Sequence, residues 1–456
     1  MRICFVTGEY PPMQGGVGDC TRELGRALLQ LGHQVIVLTS TKAAVPETLQ
    51  DAGPSSRAQM QAQSRHLPGE AQSRHLPDEY EPAVRPVIRH WGWRSWAQIL
   101  QTAHENGSDV LHVQYQTGAF GMHPAVNFLP LRLRLTRNRP RVVFTFHDLR
   151  VPYLFPKAGM VRRWVTLFPG RWSDAVIATN EEDYEQLKLA LGQVQDGLRC
   201  IPIGSNIHPQ LPPGYDRRVW RQGLGVAENE VLLCYFGFLN ESKGGETLFR
   251  SLSELRRRGY PAKLLMIGGQ VGDSDPTNVA YFERVKSLSQ ELDLTDWILW
   301  TGFTKAELVS ANFMAADVCV LPYRDGISFR RGSFMAALAH GLPIVSTRAR
   351  QNAGGTLPCQ THGETAPRQN AGETSPRLAT RTLVDGANIL LVPMDDPEAI
   401  AEAVGRLISN PELCTRLSHG ALDLAKSFTW DHIASQTASL YAESHHLSGE
   451  AAVRPH

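Results

Sequence analysis

Three features of the sequence predict an α/β chain folded as two parallel-sheet domains. Its 456 residues are about three times the ~150 of a single domain. Short β-rich apolar runs alternate with stretches of helical spacing along most of the length, the mark of βαβ units. The runs also fall into two groups of similar size, separated where Gly204, Pro209, Pro212, Pro213 and Gly214 cluster. The first group comprises Ile3–Thr7, Gln34–Thr39, Val110–Val113, Val142–Phe146, Ala175–Thr179 and Arg199–Ile203. The second comprises Val231–Phe236, Lys263–Ile267, Ile298–Thr301, Val318–Leu321, Pro343–Ser346 and Ile389–Val392. The expected domains are therefore 1–204 and 205–429, hinged at 204–216.

Two segments break the alternation. Within 43–82, Ala62–Pro68 recurs nine residues later as Ala71–Pro77, and within 350–378 the run Arg-Gln-Asn-Ala-Gly occurs at 350 and again at 368. Both are polar and too poor in large apolar residues to offset the entropy of ordering, so disordered surface insertions are expected. Their histidines fit no zinc framework. Residues 447–456 read as an unstructured tail.

Lys and Arg number 46 against 45 Asp and Glu, and 42% of residues are hydrophobic. That balance suits an ordered globular protein and excludes a polycationic nucleic-acid binder, so no nucleic-acid partner is expected. Seven cysteines show no CxxC and sit mostly inside apolar runs, as reduced core thiols do. No run approaches the ~18 apolar residues of a membrane span, and the chain enters a strand at Arg2 without a signal-peptide core. A cytoplasmic protein is expected.

Three strand-to-helix loops carry anion chemistry. The first runs from Gly8 through Gly15, Gly16 and Gly18 into helical spacing from Thr21, where free backbone amides and a helix dipole would suit phosphate. It is neither GxGxxG nor Walker A, which argues against a dehydrogenase or a P-loop enzyme. The second, Gly237 to Gly245, places Lys243 beside glycines at a helix start. In the third, Asp325, Ser328, Arg330, Arg331, Gly332 and Ser333 precede a small-residue helix. There, arginine forks, backbone amides, a Ser cap and the dipole would converge on an anion. A plain turn and a solvated charge pair are the simpler readings of the first and third loops.

The order of these pieces resembles the retaining GT-B glycosyltransferases of family 4 (glycosyl transferases group 1). The resemblance rests on Glu9-Tyr-Pro-Pro with Gly15-Gly16-Val-Gly18, on Leu31-Gly-His33, Thr145-Phe-His147-Asp148 and Ile201-Pro-Ile-Gly204. It continues through Gly237…Lys243-Gly244, Ala316-Asp317…Pro322, Ala337-Leu-Ala-His-Gly341-Leu-Pro343 and Val384-Asp-Gly-Ala-Asn388. It implies two Rossmann-like domains facing across a cleft, the second holding a nucleotide-sugar donor and the first shaping the acceptor side. From Phe428-Thr-Trp430 on, a last helix over 430–446 would return to the first domain. Position by position, Gly16 would lie near the donor phosphates, His147 would reach the transferred sugar, Lys243 would neutralise the diphosphate and Phe303 would sit by the base. The implied chemistry is hexose transfer with retention, in which the leaving diphosphate helps deprotonate the acceptor. No metal and no cofactor are implied, and Asp273-Ser-Asp275 reads as a solvated turn.

The sequence departs from the family in the third loop. Two glutamates with seven residues between them are common there, and this chain has Ser328 and Ala336 at those places; where a basic residue commonly follows the first C-domain glycine, it has Phe238. Either Arg330 and Arg331 take over the diphosphate while Asp325 or Ser328 takes a sugar hydroxyl, or the chain is a decayed binding or scaffolding partner. A GT-B epimerase or a phosphorylase using inorganic phosphate also fits the arginines. The acceptor class stays open among glycan, lipid-linked and small-molecule hydroxyls. Bases and large apolar groups interleave over 131–141 and 155–172, with Trp91, Trp93 and Trp96 nearby, which admits peripheral contact with an anionic membrane as well as an ordinary helix end.

Overall fold

The computed structural model describes residues 1–13, 15–44, 80–149, 159–192, 197–269, 276–348 and 382–450, with side chains of 276–278 and 444–450 excluded. The chain divides into two compact units. One takes the described residues up to Asn206 and those from Phe428 on; the other runs Ile207–Ser427. The hinge is thus two residues beyond the expected cut, and the return point two residues before it.

The first unit is built on a seven-stranded sheet ordered β3-β2-β1-β4-β5-β6-β7. Its strands are β1 (Arg2–Thr7), β2 (Gln34–Ser40), β3 (Ala83–Ile88), β4 (Val110–Tyr115), β5 (Arg141–Phe146), β6 (Ala175–Ala178) and β7 (Leu198–Cys200). All neighbours run parallel. Helices α1 (Gly16–Gln30), α2 (Ser95–Glu105), α3 (Ala125–Arg134), α4 (Gly159–Trp172) and α5 (Glu181–Leu191) supply the crossovers. Parallel strands buried on both faces read as apolar runs, which is why β1, β4, β5 and β6 were visible in the sequence. β3 was not: it is an exposed edge strand interrupted by Pro86, tolerable only where its missing N–H faces outward. It starts one residue after the segment expected to be an insertion, and Ala43 at that segment's other end is buried in a 3-10 turn. Residues 45–79 and 349–381, which hold nearly all of both expected insertions, lie outside the described residues, as do Asp273 and Asp275.

The second unit holds a six-stranded parallel sheet ordered β10-β9-β8-β11-β12-β13. These are β8 (Val231–Phe236), β9 (Ala262–Ile267), β10 (Ile298–Trp300), β11 (Val318–Leu321), β12 (Ile344–Thr347) and β13 (Leu390–Val392). The order reverses between β8 and β11, the switch point where loops diverge and ligands bind in open α/β sheets. Helices α6 (Arg217–Gly223), α7 (Gly245–Arg257), α8 (Pro276–Glu291), α9 (Ala306–Ala315), α10 (Gly332–Ala339), α11 (Pro397–Ser409) and α12 (Pro411–Ala425) complete it. Cys234 and Cys319 face each other in register across β8 and β11. The six described cysteines are free thiols, four of them buried.

The last helix, α13 (Trp430–Glu450), belongs to the first unit and packs on α1. It extends four residues into the segment expected to be an unstructured tail. Its buried residues Trp430, Ile433, Ala434, Thr437, Leu440 and Tyr441 follow the i, i+3, i+4, i+7 stripe of a helix with one apolar face. The Trp430 indole N–H donates to the Ser205 carbonyl at 2.7 Å, and the Arg141 guanidinium donates to the Tyr441 carbonyl. Trp430→Ala removes both a buried ring and that bond, and is expected to lower the stability of the first unit by about 3–5 kcal/mol. Urea unfolding followed by circular dichroism checks this, with Trp430→Phe expected to restore most of the loss.

Candidate functional site

At the carboxyl end of the second sheet, the loops after β8 and β11 are locked together. Gly244 has φ +71, and a Cβ there would stand 1.9 Å from the Pro322 carbonyl oxygen, so only glycine lets the two loops close. The Arg324 amide donates to the Ser242 carbonyl at 3.0 Å, and its guanidinium bridges Glu241 and Asp395, each at 3.0 Å. This closure puts Lys243 Nζ 5.4 Å from the centre of the fully buried Tyr323 ring. The Arg331 guanidinium lies 4.6 Å from the same ring. Two cations thus lie against one aromatic ring, an arrangement each finds favourable against a ring quadrupole.

Arg331 is turned inward. It is 9% exposed and ion-paired to Asp325, and its Nε is buried without a partner. Arg330 is the more open of the pair, its side chain 23% exposed and 3.9 Å from Asp325. Of the two arginine forks expected to converge on an anion, one guanidinium is embedded and the other is the more accessible. The expected Ser cap is also corrected: α10 starts at Gly332 with Arg331 at the cap position, and no side chain caps it. Ser333 Oγ instead bonds the Tyr323 hydroxyl at 2.6 Å, holding the ring in place. Gly237 borders this first turn, a Cβ there lying 3.9 Å from that of Ser333.

Gly237, Lys243, Asp325, Ser328, Arg330, Arg331, Gly332 and Ser333 are therefore gathered by adjacent loops. Phe303 follows β10, two strands from β8, and is 72% exposed; its neighbour Gly302 bridges to Gly268 beside Gly237. Phe238 packs on Gly269, and the buried Tyr235 hydroxyl donates to the Phe238 carbonyl at 3.2 Å. Tyr323 and Tyr235 were missed from sequence. Tyr323, directly after Leu321-Pro322 at a strand's carboxyl end, had a signal in its position.

In the first unit the loop after β1 differs from expectation. Glu9 Oε1 accepts the Val17 amide at 3.0 Å, and its carboxyl also receives Gly18, so α1 begins on the protein's own carboxylate. The unpaired amides expected there are engaged. Gly15 is needed because a Cβ would stand 2.2 Å from that carboxyl. Burial raises the Glu9 pKa against the lowering by those two amides. Asp19 is held by Asn206 at 3.0 Å, its pKa also raised by burial. Around Gly16 a Cβ would meet nothing within 4 Å.

His147 ends β5 half-buried, its Nε2 donating to Gln114 Oε1 at 2.8 Å. Its ring does not pair with Asp148, which takes Gln116 at 3.1 Å. Gln114 Nε2 donates to His112 Nε2 at 3.3 Å, Thr145 Oγ1 lies 2.6 Å from that same nitrogen, and Tyr441 Oη lies 2.6 Å from His112 Nδ1. Burial pushes the imidazole pKa down, to about 3 for His112, with His147 adding to the lowering, and to about 4 for His147. Beside this line of groups lies a small crevice walled by Leu24 of α1, Ile177, Ile203 and by Trp430 and Ile433 of α13. His112 and Gln114 were missed; two polar residues at i and i+2 in an otherwise apolar strand were the available signal.

Among the described residues no helix is long and apolar enough to cross a membrane, and no three His, Cys, Asp or Glu converge as metal ligands. Residues 14–208 match the model for Glycosyltransferase Family 4, and residues 230–373 match that for Glycosyl transferases group 1. D-inositol 3-phosphate glycosyltransferase of Streptomyces griseus is 27% identical over 285 residues, 59% of this chain and 53% of that protein. Its counterpart in Xylanimonas cellulosilytica is 26% identical over 278 residues, 60% and 57%. The chain spans little more than half the length of these relatives. Among solved structures, sucrose-phosphate synthase of Thermosynechococcus elongatus has a TM-score of 0.65 at 20% identity, covering 97% of this chain and 98% of that one. Anabaena HepE, in complex with UDP and glucose, has 0.67 at 16%, covering 97% and 100%. These likenesses establish the GT-B fold of two Rossmann-like domains.

Because His112 and His147 stay neutral when folded, the unfolded chain binds more protons below the ordinary histidine value of 6.5. The associated stability is complete above that value and is lost as pH falls from 6.5 towards 4. Melting temperature against pH is expected to decline over that window in the wild type and to decline less in His112→Gln, compared at each pH.

Proposed function

We propose that this protein, whose residues 14–208 and 230–373 match glycosyltransferase families, moves a hexose from a nucleoside-diphosphate sugar to an acceptor hydroxyl, with retention of configuration. The observation that carries the reading is the cation cluster around Tyr323. Lys243, Arg330 and Arg331 against Asp325 leave a formal charge of +2 beside an uncapped helix start, on the loops at the sheet's switch point. A diphosphate answers that charge and that dipole. Stabilising it as it leaves is the main catalytic contribution asked of this domain, and the cations supply it without a metal ion. HepE, solved with UDP-glucose, supports a nucleotide sugar as donor.

Lys243→Ala is expected to weaken binding of the donor by about 1.5–3 kcal/mol, roughly 10- to 150-fold in Kd. Titration calorimetry against UDP-, GDP- and ADP-sugars checks this, with sugar release measured on the same panel. Unchanged affinity would remove Lys243 from the site. Tight binding with no release or transfer under any acceptor would favour the second reading, a binding partner. That reading is motivated by Ser328 and Ala336 standing where paired glutamates are expected.

The acceptor is proposed to be met at an anionic membrane. Residues 123–172 carry ten Lys and Arg against one acidic residue, Asp148, in a chain whose totals are 46 against 45. Trp93 and Trp164, 50% and 53% exposed, are linked through Phe128 at 5.9 and 6.1 Å, with Met160 and Val161 exposed one turn before Trp164. Indoles beside arginines suit the interface between headgroups and acyl chains. The protein is expected to float with liposomes containing anionic lipid and not with neutral ones, and a Trp93→Ser, Trp164→Ser variant is expected to stay at the bottom of the gradient.

A further inference from the structure

The crevice next to His147 is walled by α13, and the same helix reaches the His147 ring through a line of buried polar groups. The hydrogen bonds along that line leave little freedom. A carbonyl oxygen only accepts and an amide NH₂ only donates, so Gln114, facing His147 with Oε1 and His112 with Nε2, requires N–H on His147 Nε2 and a lone pair on His112 Nε2. His112 must then carry its proton on Nδ1, where the Tyr441 hydroxyl oxygen accepts it at 2.6 Å. Thr145 Oγ1, 2.6 Å from the same nitrogen, shares that single lone pair with the longer Gln114 contact at 3.3 Å. His112 and Tyr441 are both fully buried, so water cannot substitute for a missing partner.

We propose that Tyr441, acting through His112 and Gln114, is a positioning residue that holds the His147 imidazole with its proton on Nε2 and its lone pair on Nδ1. The ring then offers an acceptor, not a donor, to whatever lies against its open edge. His147 Nδ1 takes no partner from the described residues. Resting on the reading that His147 meets the transferred sugar, this makes Nδ1 the acceptor of a sugar hydroxyl, and it disfavours a donor whose sugar lacks a hydroxyl at that place. It also gives α13, which comes from the far end of the chain, a part in the site beyond packing.

The choice of Gln at 114 provides the test. Removing the Tyr441 oxygen takes away the acceptor for His112 Nδ1–H, so the proton moves to Nε2, the Gln114 amide turns over, and His147 reverses its tautomer. A carboxylate at 114 accepts from His147 Nε2–H whatever His112 does, which uncouples the two ends. The experiment is long-range proton–nitrogen correlation on the full chain labelled with 15N-histidine, the His147 signals being assigned by their loss in His147→Asn. Wild type is expected to show His147 protonated on Nε2. Tyr441→Phe is expected to move it to the Nδ1–H form, and Tyr441→Phe in a Gln114→Glu background is expected to leave it on Nε2. Wild-type His147 on Nδ1–H, or an unchanged tautomer in Tyr441→Phe, would overturn the proposal. Initial rates on the nucleotide-sugar substrate separate it from the functional reading. A fall of about tenfold in kcat/KM for Tyr441→Phe, the worth of one hydrogen bond, supports both. A tautomer change with unaltered kinetics upholds the relay and removes His147 from contact with the sugar.

Discussion

Burying an arginine requires a partner, and the second unit solves that requirement with one aromatic ring and one carboxylate. Arg331 leans on Tyr323 and Asp325. An unpaired guanidinium at that depth would be strongly destabilising, whereas the ring and the carboxylate together offset its loss of water. Tyr323 can serve only because Ser333 fixes its hydroxyl and because Gly244 lets the lysine loop come down on Pro322. The position of Lys243 is therefore a consequence of loop closure, and the open Arg330 a consequence of Asp325 being engaged by its neighbour. Charge in this loop cluster is organised around the ring before any ligand arrives, which is the condition for electrostatic stabilisation without reorganisation.

The two units use equivalent helix starts in opposite ways. At α1 the dipole and the first amides are met by the Glu9 carboxylate, held in place by a glycine that leaves it room. At α10 no side chain takes that place, and the residues nearby are cationic. The sign of the local field follows from this difference: an anion is repelled at the first start and attracted at the second. The first unit instead keeps its polar groups neutral. Two imidazoles depressed by burial sit beside an apolar crevice, where hydrogen-bond direction, not charge, decides what is accepted.

Much of the architecture was legible in the sequence because parallel strands buried on both faces leave mostly apolar runs, and twelve of the thirteen strands overlap a run of that kind. β3 failed the test because an edge strand needs only one good face and tolerates Pro86. The loops were legible as glycines and cations, but the direction of each side chain was not. Nothing in Arg330-Arg331 says which guanidinium turns inward; that is set by Tyr323, whose burial comes from residues far along the chain. Likewise Ser333 has the composition of a cap, yet it finds a stronger partner in a phenol ten residues earlier. His112 and Gln114 left a trace in the alternation of β4, whereas their connection to Tyr441, 329 residues from His112, is a tertiary fact that no local pattern contains.

Ser328 and Ala336 bring no charge into the loop that leads to α10. Ala336 is fully buried, so that place contributes no charge and no hydrogen bond. Ser328 is half-buried and spends its carbonyl on the Arg331 amide at 3.1 Å. Within this loop the two arginines are answered by Asp325, so its field favours an anion over a neutral hydroxyl. In the first unit the polar group beside the apolar crevice, His147, is instead held through Nε2 by Gln114, so what it can pair with is set by hydrogen-bond direction and not by charge.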